Sequence, residues 1–118
     1  MLTTLAAPAF AGTWYIEDGN ITISAGTEAG TNKVEQVGKD TVNNDKDTVI
    51  TNREDKASSH TVTIETNDKN DTVEVTLKDV NIDASSRNNA AVSVTGSGNT
   101  TIKLDGDNAL KSDTYRSG

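Results

Sequence analysis

Two acid-rich stretches, Asn43 to Thr48 ("NNDKDT") and Asn67 to Thr72 ("NDKNDT"), gather the residue types best suited to chemistry in this 118-residue chain. If they are equivalent corners on successive layers of strands, Asp45, Asp47, Asp68 and Asp71 come close together and repel. A calcium ion, with about six to eight oxygen ligands, would relieve that repulsion. The competing reading is simpler: Asp and Asn make good turns, and Lys46 and Lys69 offset the charge. Neither stretch matches a full EF-hand loop or the glycine-rich nonapeptide calcium repeat, so turn formation is the favoured reading and calcium the sharper alternative.

Aromatic residues offer a second chemistry. Trp14 and Tyr15 near one end, and Tyr115 with Arg116 near the other, could form platforms for a sugar ring. Adjacent residues on a strand point to opposite faces, so at least one of Trp14 and Tyr15 should cap or plug the first layer. His60 is the single histidine and the chain has no cysteine. Alone, it builds neither a metal site nor a nucleophilic triad, and it reads as a solvated residue before a strand. Acidic residues are frequent enough to supply carboxylate pairs, but spacing in sequence does not fix spacing in space.

These residues need elements to position them, and composition limits which. Hydrophobic residues make up 32% and aromatic residues 3%, with a net charge of −7, so a thick globular core is out of reach. Thr favours strands, and Asn favours turns. The acidity argues against nucleic acid as a partner, and no stretch is long enough to span a bilayer as a helix. Ala9-Phe10-Ala11 before Gly12 matches a small-x-small cleavage site, so residues 1–11 are expected to be the remnant of a secretory signal or a disordered leader. The remaining span, 12–118, is expected to be one domain.

Short alternating triplets recur, and their last members, Ile23, Ile50, Leu77 and Leu104, share a spacing of 27 residues. A second series runs through Val34 to Val37, Val62 to Ile64 and Val92 to Val94. A third strand, Val80-Asn81-Ile82, is echoed at Ala109-Leu110. No segment sustains a helical apolar stripe. Both an antiparallel sandwich and a parallel β-solenoid fit alternation, and the repeat favours the solenoid. Four turns, spaced about 4.8 Å apart, would stack those four apolar residues into one internal column. Around residues 38–60 the register stays open, because Asp47-Thr48-Val49 also aligns with Asp71-Thr72-Val73. Stacked Asn and Thr ladders would supplement the thin core.

The segment Val62 to Ser112, with the corner "GSGNTTIKLDGDNAL" and the opening "WYIEDGNITISAG", resembles secreted right-handed parallel β-helix proteins of anaerobic and gut bacteria. These are described as carbohydrate-binding domains, including pectin-binding members of pectate-lyase-like shape. The resemblance implies an all-β, short right-handed parallel β-helix that binds polysaccharide without cleaving it, with calcium bridging protein to acidic sugar. Lyase chemistry in related β-helices needs a basic residue beside bound calcium. Arg53, Lys78, Arg87 and Lys103 are available, but nothing in the sequence singles one out, so the chain is read as not an enzyme. Such domains usually continue for more turns, so this chain is expected to be a fragment, a capped miniature or a unit that stacks end to end. The leading expectation is a secreted or bacterial surface module that binds extracellular polysaccharide. The alternative is a structural spacer or adhesin segment that self-associates through open ends.

Overall fold

The computed structural model describes residues 12–87 and 89–112. Alternation of β-branched and polar residues writes eleven strands into this span. They are β1 (Thr13–Tyr15), β2 (Ile21–Ala25), β3 (Asn32–Gln36), β4 (Val42–Asp45), β5 (Thr48–Thr51), β6 (Val62–Thr66), β7 (Thr72–Lys78), β8 (Asn81–Asp83), β9 (Val92–Gly96), β10 (Asn99–Asp105) and β11 (Ala109–Lys111). Short 3-10 turns occupy Ile16–Asp18 and Ser85–Arg87. In β7 the pattern is plain: Val73, Val75 and Leu77 are buried, while Thr72, Glu74 and Lys78 face solvent.

The fold is all-β, as expected, and the strands form mixed sheets. The first sheet runs β1-β5-β7-β10, with every pair parallel. The second runs β4-β3-β2-β6-β9; β2-β6 and β6-β9 are parallel, but β2-β3 and β3-β4 are antiparallel. The third pairs β8 with β11 in parallel, and a bridge from Ser58 to Ile82 extends it. From β5 onward the chain visits first, third and second sheet in constant order: β5, Ser58, β6, then β7, β8, β9, then β10 and β11.

The expected apolar column needs correction at one member. Ile50, Leu77 and Leu104 do stand in register, but Trp14, not Ile23, continues the column below Ile50. Ile23 lies in the second sheet between Val34 and Ile64, and Ile64 in turn faces Val94. The reason is the β2-β3-β4 meander, which inserts two antiparallel strands where a parallel repeat was expected. Of the two registers left open, Thr48 opposite Val75 selects the 27-residue offset over the alignment of Asp47 with Asp71.

The core is a narrow file of Ile, Val and Leu side chains. Polar corners satisfy backbone groups, although through a different device from the side-chain ladders expected. Asn52 Oδ1 accepts from the Asn81 N–H (2.7 Å) while its Nδ2 donates to the Asn81 carbonyl (3.0 Å). Asn108 does the same one layer on, accepting from Val80 N–H (2.8 Å) and donating to the Leu77 carbonyl (3.0 Å). At Gly96, with φ of 97°, a Cβ would sit 1.9 Å from the Thr66 carbonyl oxygen, so glycine lets β9 close onto β6.

Candidate functional site

Three remote segments converge on one cleft of about 210 Å³, lined by Thr13, Trp14, Tyr15, Asp18, Gln36, Lys39 and Arg53. The parallel pairing of β1 with β5 sets Tyr15 beside Thr51, which carries Arg53 just beyond the strand to the same edge. The turn Ile16–Asp18 delivers Asp18, and the end of β3 with its following turn delivers Gln36 and Lys39. The Arg53 guanidinium stands 4.2 Å from the Tyr15 ring centroid, within the range of a cation–π contact. It also donates through Nη1 to Asp18 Oδ1 (2.8 Å) and through Nη2 to Oδ2 (3.2 Å). Lys39 Nζ reaches the same carboxylate at 3.0 Å.

These cations fix the charge of the site. Hydrogen bonds from Arg53, then from Lys39, lower the Asp18 carboxyl to about 2. Partial burial pushes the neighbouring Glu17 carboxyl up, but the N–H groups of Arg53 and Glu54 bind it at 2.7 to 2.8 Å and leave it below its ordinary value. Gln36 is buried and donates through Nε2 to the Tyr15 carbonyl (2.8 Å) and the Gly19 carbonyl (2.9 Å). Its Oε1 is buried, and among the described residues no donor reaches it. The cleft thus offers an aromatic ring, two anchored cations and a fixed carboxylate.

The residues singled out from the sequence fall in different places. Trp14 is buried, and its Nε1–H donates to Asp45 Oδ2 at 2.8 Å, so it plugs the first layer as adjacency on a strand required. Tyr15 is half-buried and lines the cleft. Tyr115, and the leader at 1–11, lie outside the described residues.

Asp45 is fully buried. Its carboxylate accepts from Gly12 N–H (2.9 Å), Trp14 Nε1–H and Thr48 Oγ1–H (2.9 Å), so its lone pairs serve the fold. Asp47 is exposed. Asp68 and Asp71 close one tight turn: the Asp68 N–H donates to Asp71 Oδ2 (3.0 Å), and the Asp71 N–H donates to the Asp68 carbonyl (2.9 Å). Asp71 also lines a hollow of about 250 Å³ between the β2-β3 loop and the start of β7. Among the described residues no group of three or more His, Asp or Glu side chains is placed to hold a metal ion. Asp45 is thus spent on three protein donors, and Asp68 and Asp71 are engaged in one turn.

Asp18, Gln36, Lys39 and Arg53 were not identified as a site from the sequence. Their only local signal is Arg53, one of four basic residues that composition left equivalent. No family model matches the sequence, and neither a curated protein nor a solved structure matches the chain.

Proposed function

We propose that the chain is a short, right-handed β-solenoid of a secreted or bacterial surface protein that binds extracellular polysaccharide without cleaving it. The recurring visit to three sheets, with β5, β7 and β10 parallel at a 27-residue offset, supports the coiled reading. The observation that carries the binding reading is the cleft at Tyr15. At about 210 Å³ it is smaller than the roughly 300–1,000 Å³ of sites that enclose drug-sized ligands. That size suits one ring-sized unit of a longer chain lying across the surface. Sugar hydroxyls donate to Asp18 and accept from Lys39 and Arg53, while the exposed part of Tyr15 meets an apolar ring face. With two cations against one lining carboxylate, acidic polysaccharides are the first class to test.

The chemistry of the same groups favours binding over hydrolysis. Glycoside hydrolysis uses a carboxylic acid that stays protonated to release the leaving group. Asp18 and Glu17 are both held below their usual range, which keeps them ionised as acceptors.

The test is affinity electrophoresis through gels containing polygalacturonate, xylan or cellulose derivatives, run with and without EDTA. Retardation on at least one glycan is expected, with Arg53→Ala and Tyr15→Ala each weakening it about ten-fold, equivalent to about 1.4 kcal/mol. No release of reducing ends should accompany it. Absence of retardation on every glycan, or retardation that both variants leave intact, overturns the reading. The EDTA arm decides the calcium dependence separately.

A further inference from the structure

Arg53 and Lys39 share the Asp18 carboxylate but hold it in different ways. Arg53 is locked from several sides. Its Nη1 and Nη2 fork onto Asp18 Oδ1 and Oδ2, its guanidinium lies over the Tyr15 ring, and its backbone N–H donates to both oxygens of Glu17. Lys39 reaches the carboxylate through Nζ alone, 3.0 Å from Oδ2, an oxygen that Arg53 Nη2 already serves. Its side chain is 47% exposed, and Asp18 is its one ion-pair partner among the described residues. The Lys39 backbone is nevertheless anchored, because its N–H donates to the Gln36 carbonyl (3.0 Å) in the turn after β3.

A planar guanidinium matches a carboxylate bidentately, whereas an ammonium is a point charge with three donors on a flexible stem. Arg53 alone therefore suffices to hold and neutralise Asp18. The surplus positive charge of the cleft then belongs to Lys39. Glu17 accepts from the N–H groups of Arg53 and Glu54 and does not line the cleft.

We infer that Lys39 is the residue that recognises a carboxylate on the sugar, with Asp18 as its internal competitor. An acidic sugar takes Lys39 over from Asp18, while the Arg53 fork keeps Asp18 neutralised. This rests on the proposed binding of polysaccharide at the cleft, and it divides the work of the two cations. Arg53 builds the site, and Lys39 sets the preference for acidic over neutral sugars. Asp18 tempers that preference, because it opposes a second carboxylate and leaves a neutral ring unopposed.

Affinity electrophoresis on polygalacturonate and on its methyl ester tests this, since the ester removes the carboxylate charge and keeps the sugar. The unaltered chain should be held more strongly by polygalacturonate than by the ester. Lys39→Gln should weaken retention on polygalacturonate about ten-fold and leave the ester within about two-fold. Asp18→Asn keeps an acceptor oxygen but releases Lys39, and should strengthen retention on polygalacturonate about three-fold and not on the ester. Asp47→Asn, the same change of net charge on an exposed residue outside the cleft, should move neither. Four results overturn the inference and leave polysaccharide binding standing: no preference for polygalacturonate, an equal loss on both polymers in Lys39→Gln, no gain in Asp18→Asn, or the same gain in Asp47→Asn. A chain retained by no glycan overturns the binding reading and this inference together.

Discussion

Trp14 and Leu104 stand at opposite ends of a single column of side chains, yet Trp14 is 7% exposed and Leu104 68%. Between them Ile50 and Leu77 are fully enclosed. The difference does not come from the strands, which alternate in the same way at both ends. It comes from what lies beyond them. Below Trp14 the chain has placed a buried carboxylate that ties Gly12, Trp14 and Thr48 together. Above Leu104 no described residue does the equivalent. A repeating strand pattern specifies which way a side chain points, and only a neighbour decides whether that direction is the inside.

The sharpest way to break the comparison is at the closed end. Asp45→Ala removes the buried acceptor that Gly12, Trp14 and Thr48 share, and stability should fall by about 4 kcal/mol, read from the midpoint of urea unfolding. An unchanged midpoint would mean that the carboxylate is not what closes this end.

Next comes the column itself. Leu77→Ala removes a buried side chain and should cost about 3 kcal/mol. Leu104→Ala, at a site 68% exposed, should stay within about 0.5 kcal/mol, as a surface change does. Equal losses would show that Leu104 is covered in solution. The pair therefore measures the lid directly.

The smallest effect is electrostatic. The folded-state value for Asp18 is about 2 against an ordinary 3.8, so it contributes stability above about pH 4 and loses it as the pH falls toward 2. Asp18→Asn should flatten that part of the acid-unfolding curve. Because the pair is solvent-screened, the change should be small. Asp83, whose carboxylate accepts from Ser85 Oγ (2.6 Å) and Ser85 N–H (3.1 Å), is lowered in the same direction and should leave a residual slope.

Much of the architecture could be read from the order of residues. Val73, Val75 and Leu77 announce a half-buried strand, the 27-residue offset locates β5, β7 and β10, and Val80-Asn81-Ile82 finds its echo at β11. Strand direction could not be read. Lys33-Val34-Glu35 alternates like any other strand, and alternation carries the face a residue takes but not the sense in which the chain runs. Asp45 was opaque for a related reason: in "NNDKDT" a carboxylate aimed inward at Trp14 looks the same as one aimed at water. The cleft was the least legible feature. It joins Tyr15, Gln36 and Arg53 across two sheets, and no local pattern ties those positions together.

The β2-β3 hairpin also bears on how the molecule assembles. Ile21 to Gln36 pair after closing a loop of only a few residues, whereas β6, β7, β9 and β10 must each find a strand about 27 to 41 residues away. Local closure is fast and costs little entropy. During synthesis the hairpin emerges before the distant strands exist. It can stand as a template to which each later segment adds in turn, making acquisition of structure vectorial, with the carboxyl-terminal strands the last to join and the first to exchange their amide protons.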